Sequence, residues 1–128
     1  MARFLSPEWT EDVVGALSNS DEAQQALKGV NLVLQQIVTS GPDGDVSYWI
    51  RFESGKVEGA LGEAESADVT ITQDYETAAA LSRAELNAQA AFMQGKLKVT
   101  GNMGKLLQNQ SALDALGPVM AGLETEYR

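Results

Sequence analysis

The side chains behind most enzymatic chemistry are either missing from this chain or wrongly spaced for it. Its 128 residues include no histidine and no cysteine. The commonest general base and transition-metal ligand is therefore absent, and so are disulfides, thiolate metal sites and thiol nucleophiles. Asp43-Gly44-Asp45 offers two carboxylates around a glycine. A calcium loop of the EF-hand type needs further oxygen ligands and a Glu at its twelfth position, so the stretch reads as a turn. Gly101-Asn102-Met103-Gly104-Lys105 ends in the Gly-Lys of a phosphate-cradling loop. Leu106 stands where that loop needs Ser or Thr, and Val99 stands at its upstream glycine. No Gly-x-Ser-x-Gly elbow occurs. A hydrolase would need a carboxylate pair or a Ser-Lys dyad, and Glu63 with Glu65 reads as a solvated loop edge. The sequence predicts no enzyme, no metal and no cofactor.

What remains is apolar chemistry. Hydrophobic residues make up 44% of the chain, and the net charge is −9. Phosphate recognition needs clustered Lys and Arg, so nucleic acid is not an expected partner. Lys96, Lys98 and Lys105 do cluster. They read as a solvated strand face beside a helix start, or as a small docking patch for anionic head groups. No apolar run approaches the ~18–20 residues that span a bilayer. Met1 to Glu8 lacks the apolar core of a signal peptide. The expectation is one soluble, cytoplasmic domain over 1–128.

Local patterns place the elements. Ser6-Pro7 predicts a helix start, with Trp9, Val13, Ala16 and Leu17 on one face. Ser20-Asp21-Glu22 restarts a second helix that Gly29 ends. Val30 to Thr39 reads as a strand, and Gly41 to Asp45 as a turn. Val46 to Glu53 alternates, with Val46, Tyr48, Ile50 and Phe52 on one face and Trp49 as the outlier on the other. Two further strands cover Val57 to Glu63 and Ala67 to Gln73. Asp74 and Asn87 are candidate caps for two helices that follow. Leu97 to Thr100 is a fifth strand. Met103, Leu106, Leu107 and Gln110 follow helical spacing, and Pro118 opens a last helix. Consecutive strands on short turns imply hairpins, and their separation from the helices implies an α+β layer. The predicted fold class is α+β: a five-stranded, mainly antiparallel sheet covered on one face by about five helices.

Ala91 to Gly104, with its Ala-Phe, Gly-Lys-Leu-Lys and Gly-Asn-Met-Gly pieces, resembles the sterol carrier protein 2 family. Leu27-Lys28-Gly29-Val30, Trp49, Gly55-Lys56-Val57 and Ala67 to Thr72 extend the resemblance over most of the chain. It implies an apolar tunnel between sheet and helices that takes a sterol, fatty acyl chain, acyl-CoA, phospholipid or isoprenoid. Two features depart from the family. The chain ends Glu126-Tyr127-Arg128 rather than in a peroxisomal tripeptide, and it is acidic where transfer-active members are basic.

Apolar side chains that face one another across the predicted elements are the candidate ligand contacts. Leu32, Leu34, Tyr48, Ile50 and Phe52 come from the strands. Phe92 and Met93 come from the helix before the family motif. Met103, Leu106, Leu107, Val119, Met120 and Leu123 come from the helices after it. The methionines suit a surface that adapts to varied ligands. Gln110, on the apolar stripe, is the candidate polar contact. The segment after Gly117-Pro118 is a candidate lid. The expected partner is an apolar lipid, with transient contact to a membrane or to a lipid-handling enzyme. The alternative is a non-catalytic interaction module of the same fold, with a filled cavity and a protein partner.

Overall fold

The computed structural model describes residues 2–42, 44–83, 85–86, 88–109, 118–123 and 125–127. Strand β1 is Ala2–Arg3, and helix α1 runs over Pro7–Asn19. The start of α1 follows from its residue types. The Ser6 hydroxyl oxygen accepts from the Trp9 N–H at 3.2 Å, and Pro7 occupies a first-turn position that needs no donor. Trp9, Val13 and Leu17 repeat every four residues and are buried. Ser20 caps the short helix α2, Asp21–Ala26.

Five strands form the main sheet: β2 (Asn31–Gly41), β3 (Gly44–Glu53), β4 (Lys56–Leu61), β5 (Val69–Asp74) and β6 (Lys98–Gly101). Their spatial order is β4-β3-β2-β5-β6. The β2–β5 pair is parallel, and the other three pairs are antiparallel. The parallel pair arises because the chain leaves β4 at one edge and re-enters on the far side of β2. Gln35 holds that crossover. Its Nε2 donates to the Gly62 carbonyl at 3.0 Å and to the Tyr48 carbonyl at 3.0 Å, and its Oε1 accepts from the Ala64 N–H at 2.7 Å.

The register sets the two faces. Leu32, Leu34, Gln36 and Val38 stand beside Phe52, Ile50, Tyr48 and Val46. Val69, Ile71 and Gln73 continue the same rows on β5. Helix α1 packs on this face over β4, and α3 packs against β2 and β5. At Gly59 a Cβ would lie 3.2 Å from the Val14 Cγ2 and 2.9 Å from the Trp49 carbonyl oxygen.

Asp74 caps helix α3 (Tyr75–Ser82), accepting from the Thr77 N–H at 2.8 Å. Helix α4 is Ala88–Met93, and α5 is Met103–Gln108. The link from β6 to α5 explains a Gly-Asn pair. Gly101 has φ +113, and a Cβ there would sit 2.4 Å from the Asp68 carbonyl oxygen. Asn102 then caps α5 by accepting from the Lys105 N–H at 3.0 Å. A further helical segment covers 118–122.

Strand β7 (Thr125–Glu126) pairs in parallel with β1, and the Phe4 N–H donates to the Glu126 carbonyl at 2.9 Å. The sequence pattern did not announce this pair. It corrects the picture of a free terminal lid, because the described part of that segment is tied to the N-terminal strand at its far end.

Candidate functional site

The candidate contacts separate into three groups. Leu32, Leu34, Tyr48, Ile50, Phe52 and Leu106 are buried in the core. Val119, Met120 and Leu123 are half-buried and pack against it. Phe92, Met93, Met103 and Leu107 lie open, with 51%, 83%, 39% and 68% of their surface exposed. Gln110 lies outside the described residues, as do the apolar Leu113 and Leu116. The open set belongs to the end of α4 and to α5, the two helices on either side of β6 in the chain. Four large apolar side chains left in water by α4 and α5 are where added apolar surface gains most.

Sequence reading missed the buried amides. Gln35, Gln36 and Gln73 are all buried. Gln35 secures the crossover on the face away from α1. Gln36 and Gln73 share the α1 face, where the Gln73 Nε2 donates to the Gln36 Oε1 at 2.8 Å. The available signal was a pair of glutamines inside an otherwise apolar, β-branched run.

Aromatic packing locks the N-terminal segment over this face. Phe4 meets Trp9 and Tyr127 at 5.0 Å between centroids, and Tyr75 at 5.6 Å. Trp9 meets Tyr48 edge-on at 5.2 Å, so it staples α1 to the sheet. The Tyr127 hydroxyl donates to the Ser82 Oγ at 2.7 Å. Trp49 points to the opposite face, where Ala60 is its neighbour across β4 and the Arg51 guanidinium lies 5.9 Å from its ring. It does not sit beneath the N-terminal helices.

Charge is modest throughout the site. Burial pushes the Tyr48 phenol far above its ordinary range, so it stays neutral. Hydrogen bonds from Thr77, helped by the charge of Lys96, hold the Asp74 carboxyl below its usual value. Of the clustered lysines, Lys105 pairs with the Asp68 Oδ2 at 3.1 Å, while Lys96 and Lys98 are exposed.

Two hollows are defined by described residues. One of about 440 Å³ is lined by polar groups, among them Asn31, Asn102, Lys105, Gln108 and Asn109. The other, of about 230 Å³, is lined by Phe4, Leu5, Pro42, Val46 and Tyr75 among others, at the turn end of β2 and β3. Among the described residues no helix is long and apolar enough to cross a membrane.

The arrangement matches known proteins in sequence and in fold. The model of the SCP-2 sterol transfer family matches residues 13–114. Sterol carrier protein 2 of Gallus gallus is 35% identical over 92 residues, which cover 71% of this chain and 17% of that protein. The chain therefore spans about a sixth of the length of that relative. The oleate-induced peroxisomal protein POX18 of Candida maltosa is 31% identical over 104 residues, covering 80% of this chain and 81% of that one. A crystal structure of sterol carrier protein 2 superposes with a TM-score of 0.81 at 21% identity, covering 95% of this chain and 100% of the other. Together with the five-stranded α+β layer, the match to residues 13–114 means that this chain belongs to the SCP-2 sterol transfer family.

Proposed function

We infer that this chain binds an apolar lipid and carries it, or presents it to an enzyme, in the cytoplasm without catalysing a reaction. One observation supports the reading above the others. Phe92, Met93, Met103 and Leu107 are exposed on α4 and α5, while Leu106 of the same α5 is buried in the core. A lipid lying against this end of the molecule would cover the exposed set. Its far end would run toward Val119, Met120 and Leu123 and the sheet residues Leu32, Leu34, Tyr48, Ile50 and Phe52. The family match supports the same class of ligand.

Energetics shape the mechanism. Each CH₂ taken from water into an apolar site gains about 0.8 kcal/mol. A lipid taken from a bilayer gains almost none of this, because it was already dry. Exchange with membranes is then close to thermoneutral, and its rate depends on how readily the α4–α5 end opens. The test is titration of delipidated protein with a fluorescent acyl-chain probe, followed by displacement with unlabelled fatty acid, fatty alcohol and sterol. Saturable binding of one probe per chain, displaced by at least one lipid class, is expected. Absence of saturable binding overturns the reading. The exposed apolar set would then belong to a protein contact, which is the interaction-module alternative.

A further inference from the structure

Helix α5 lies beside the start of β2 with little apolar packing beneath it. Leu106 is its buried residue, and it belongs to the same buried cluster as Leu32 and Leu34. Lys105, Gln108 and the capping residue Asn109 instead line the polar hollow of about 440 Å³, opposite Gly29 and Asn31 at the entry to β2. Polar groups of this kind are hydrated whether the helix lies close or swings away, so they add no hydrophobic force that holds α5 down.

Asp68 provides the hold. Its N–H donates to the Val33 carbonyl at 2.9 Å, and its Oδ2 accepts from the Val33 N–H at 2.8 Å, so the carboxylate is fixed to β2. The Asp68 carbonyl accepts from the Asn102 N–H at 2.8 Å, which anchors the stem of α5. The same Oδ2 then meets the Lys105 Nζ at 3.1 Å, with side-chain exposures of 24% for Asp68 and 35% for Lys105. At the far end of α5 the Asn109 Nδ2 reaches the Asn31 carbonyl at 3.5 Å, a long distance for a hydrogen bond. Among the described residues, the Lys105–Asp68 pair is therefore the main polar tie between the body of α5 and the sheet.

Leu32 and Leu34 are sealed, at 1% and 0% exposure. A lipid that starts at Met103 and Leu107 and ends at these residues needs an opening, and α5 carries both its outer contacts and the buried Leu106. We propose that α5 is the gate through which the lipid enters and leaves, and that the Lys105–Asp68 ion pair is its latch. This rests on the lipid-binding reading above. When the pair parts, α5 turns about its Gly101-Asn102 stem, Leu106 leaves the cluster, and the way to Leu32 and Leu34 opens. When the pair re-forms, the lipid is enclosed. The latch is made in free and loaded protein alike, so it sets the rates of entry and exit rather than the affinity. Lys105 and Asp68 are positioning residues that act through α5.

The test is stopped-flow mixing of the delipidated full chain with the fluorescent fatty acid cis-parinaric acid, and of loaded protein with excess unlabelled hexadecanoic acid. Lys105→Met should raise the association and dissociation rate constants together by about two- to fivefold, the range for a half-exposed ion pair, while the affinity moves by less than about twofold. Asp68→Asn keeps an oxygen for the Val33 N–H and should do the same. The double variant should go no further, because both substitutions break one contact, and Lys105→Arg should keep wild-type rates. Raising sodium chloride from about 0.1 M to about 1 M shortens the Debye length from about 10 Å to about 3 Å; it should speed the wild type and not Lys105→Met. In the free protein, the Leu106 and Asn109 amides, which donate to the Asn102 and Lys105 carbonyls, should exchange with solvent faster in Lys105→Met. Unchanged rates in both single variants, or faster dissociation with unchanged association, overturn the proposal. Faster amide exchange without faster probe kinetics also overturns it, since α5 then moves without admitting the lipid. Failure of every variant and the wild type to bind the probe overturns the lipid-binding reading itself, and the gate with it.

Discussion

Replacing Phe92, Met93 and Leu107 together with alanine separates ligand contact from folding. These side chains are 51%, 83% and 68% exposed. Fully burying a side chain of this size gains about 1.5–3 kcal/mol. The exposed fractions leave about 1–2 kcal/mol per residue for a ligand to recover, or roughly 3–5 kcal/mol for the three. At about 1.4 kcal/mol per tenfold, complete coverage by the lipid would make the triple variant bind roughly a hundredfold to a few thousandfold more weakly. Partial coverage still gives at least about tenfold. The cost in stability is small, because Met93 and Leu107 have little packing to lose and alanine is the best helix former. We expect less than about 2 kcal/mol for the triple variant, whereas Phe52→Ala at the buried sheet face should cost about 3–5 kcal/mol. Probe displacement gives the affinities, and urea unfolding gives the stabilities. A triple variant with native stability and undiminished affinity would refute placing the ligand at the α4–α5 end. One that unfolds as easily as Phe52→Ala would show that these residues are packing elements.

Three further outcomes follow from the geometry. Gln35→Leu removes the amide that ties Gly62, Ala64 and Tyr48 together. At about 1 kcal/mol net per bond it should cost roughly 2–3 kcal/mol, with faster amide exchange at residues 62–66; unchanged exchange there would contradict the crossover role. Gly59→Ala places a methyl 2.9 Å from the Trp49 carbonyl oxygen and 3.2 Å from Val14. It should cost about 1–3 kcal/mol, and Val14→Ala should restore only part, because the backbone contact remains; full rescue would contradict this. Asp74→Ala should cost about 1 kcal/mol at pH 7 through the lost cap of α3. The folded-state pKa of Asp74 is lowered, so the charge contributes stability above the unfolded value near pH 3.9 and loses it as pH falls through the folded value. The difference between wild type and variant should shrink across that acid window, and a pH-independent difference would contradict the electrostatic origin.

Most of the layer order was legible because it depends on local rules. Ser6-Pro7, Ser20 and Asp74 announce helices through capping chemistry, and all three cap in the structure. The alternation of Tyr48, Ile50 and Phe52 fixed which face of β3 is buried. The β1–β7 pair was not legible. Two-residue strands carry no periodicity, and their pairing depends on where Phe4 docks in the aromatic cluster. The buried Gln36–Gln73 pair was equally hidden. Gln73 ends a strand that reads as polar at that point, and only the parallel register of β2 with β5 brings the two amides together. Apolar spacing also could not tell Leu106, buried in the core, from its neighbour Leu107 at 68% exposure. Adjacent residues on a helix differ by about 100° in direction, and which of the two turns inward is decided by tertiary packing.

The most direct test of lipid binding is native mass spectrometry of the protein purified gently from its own host, followed by solvent extraction and lipid analysis. The account predicts one apolar lipid ligand per chain. A bare mass in every preparation, together with failure of delipidated protein to bind acyl or sterol probes, would contradict it.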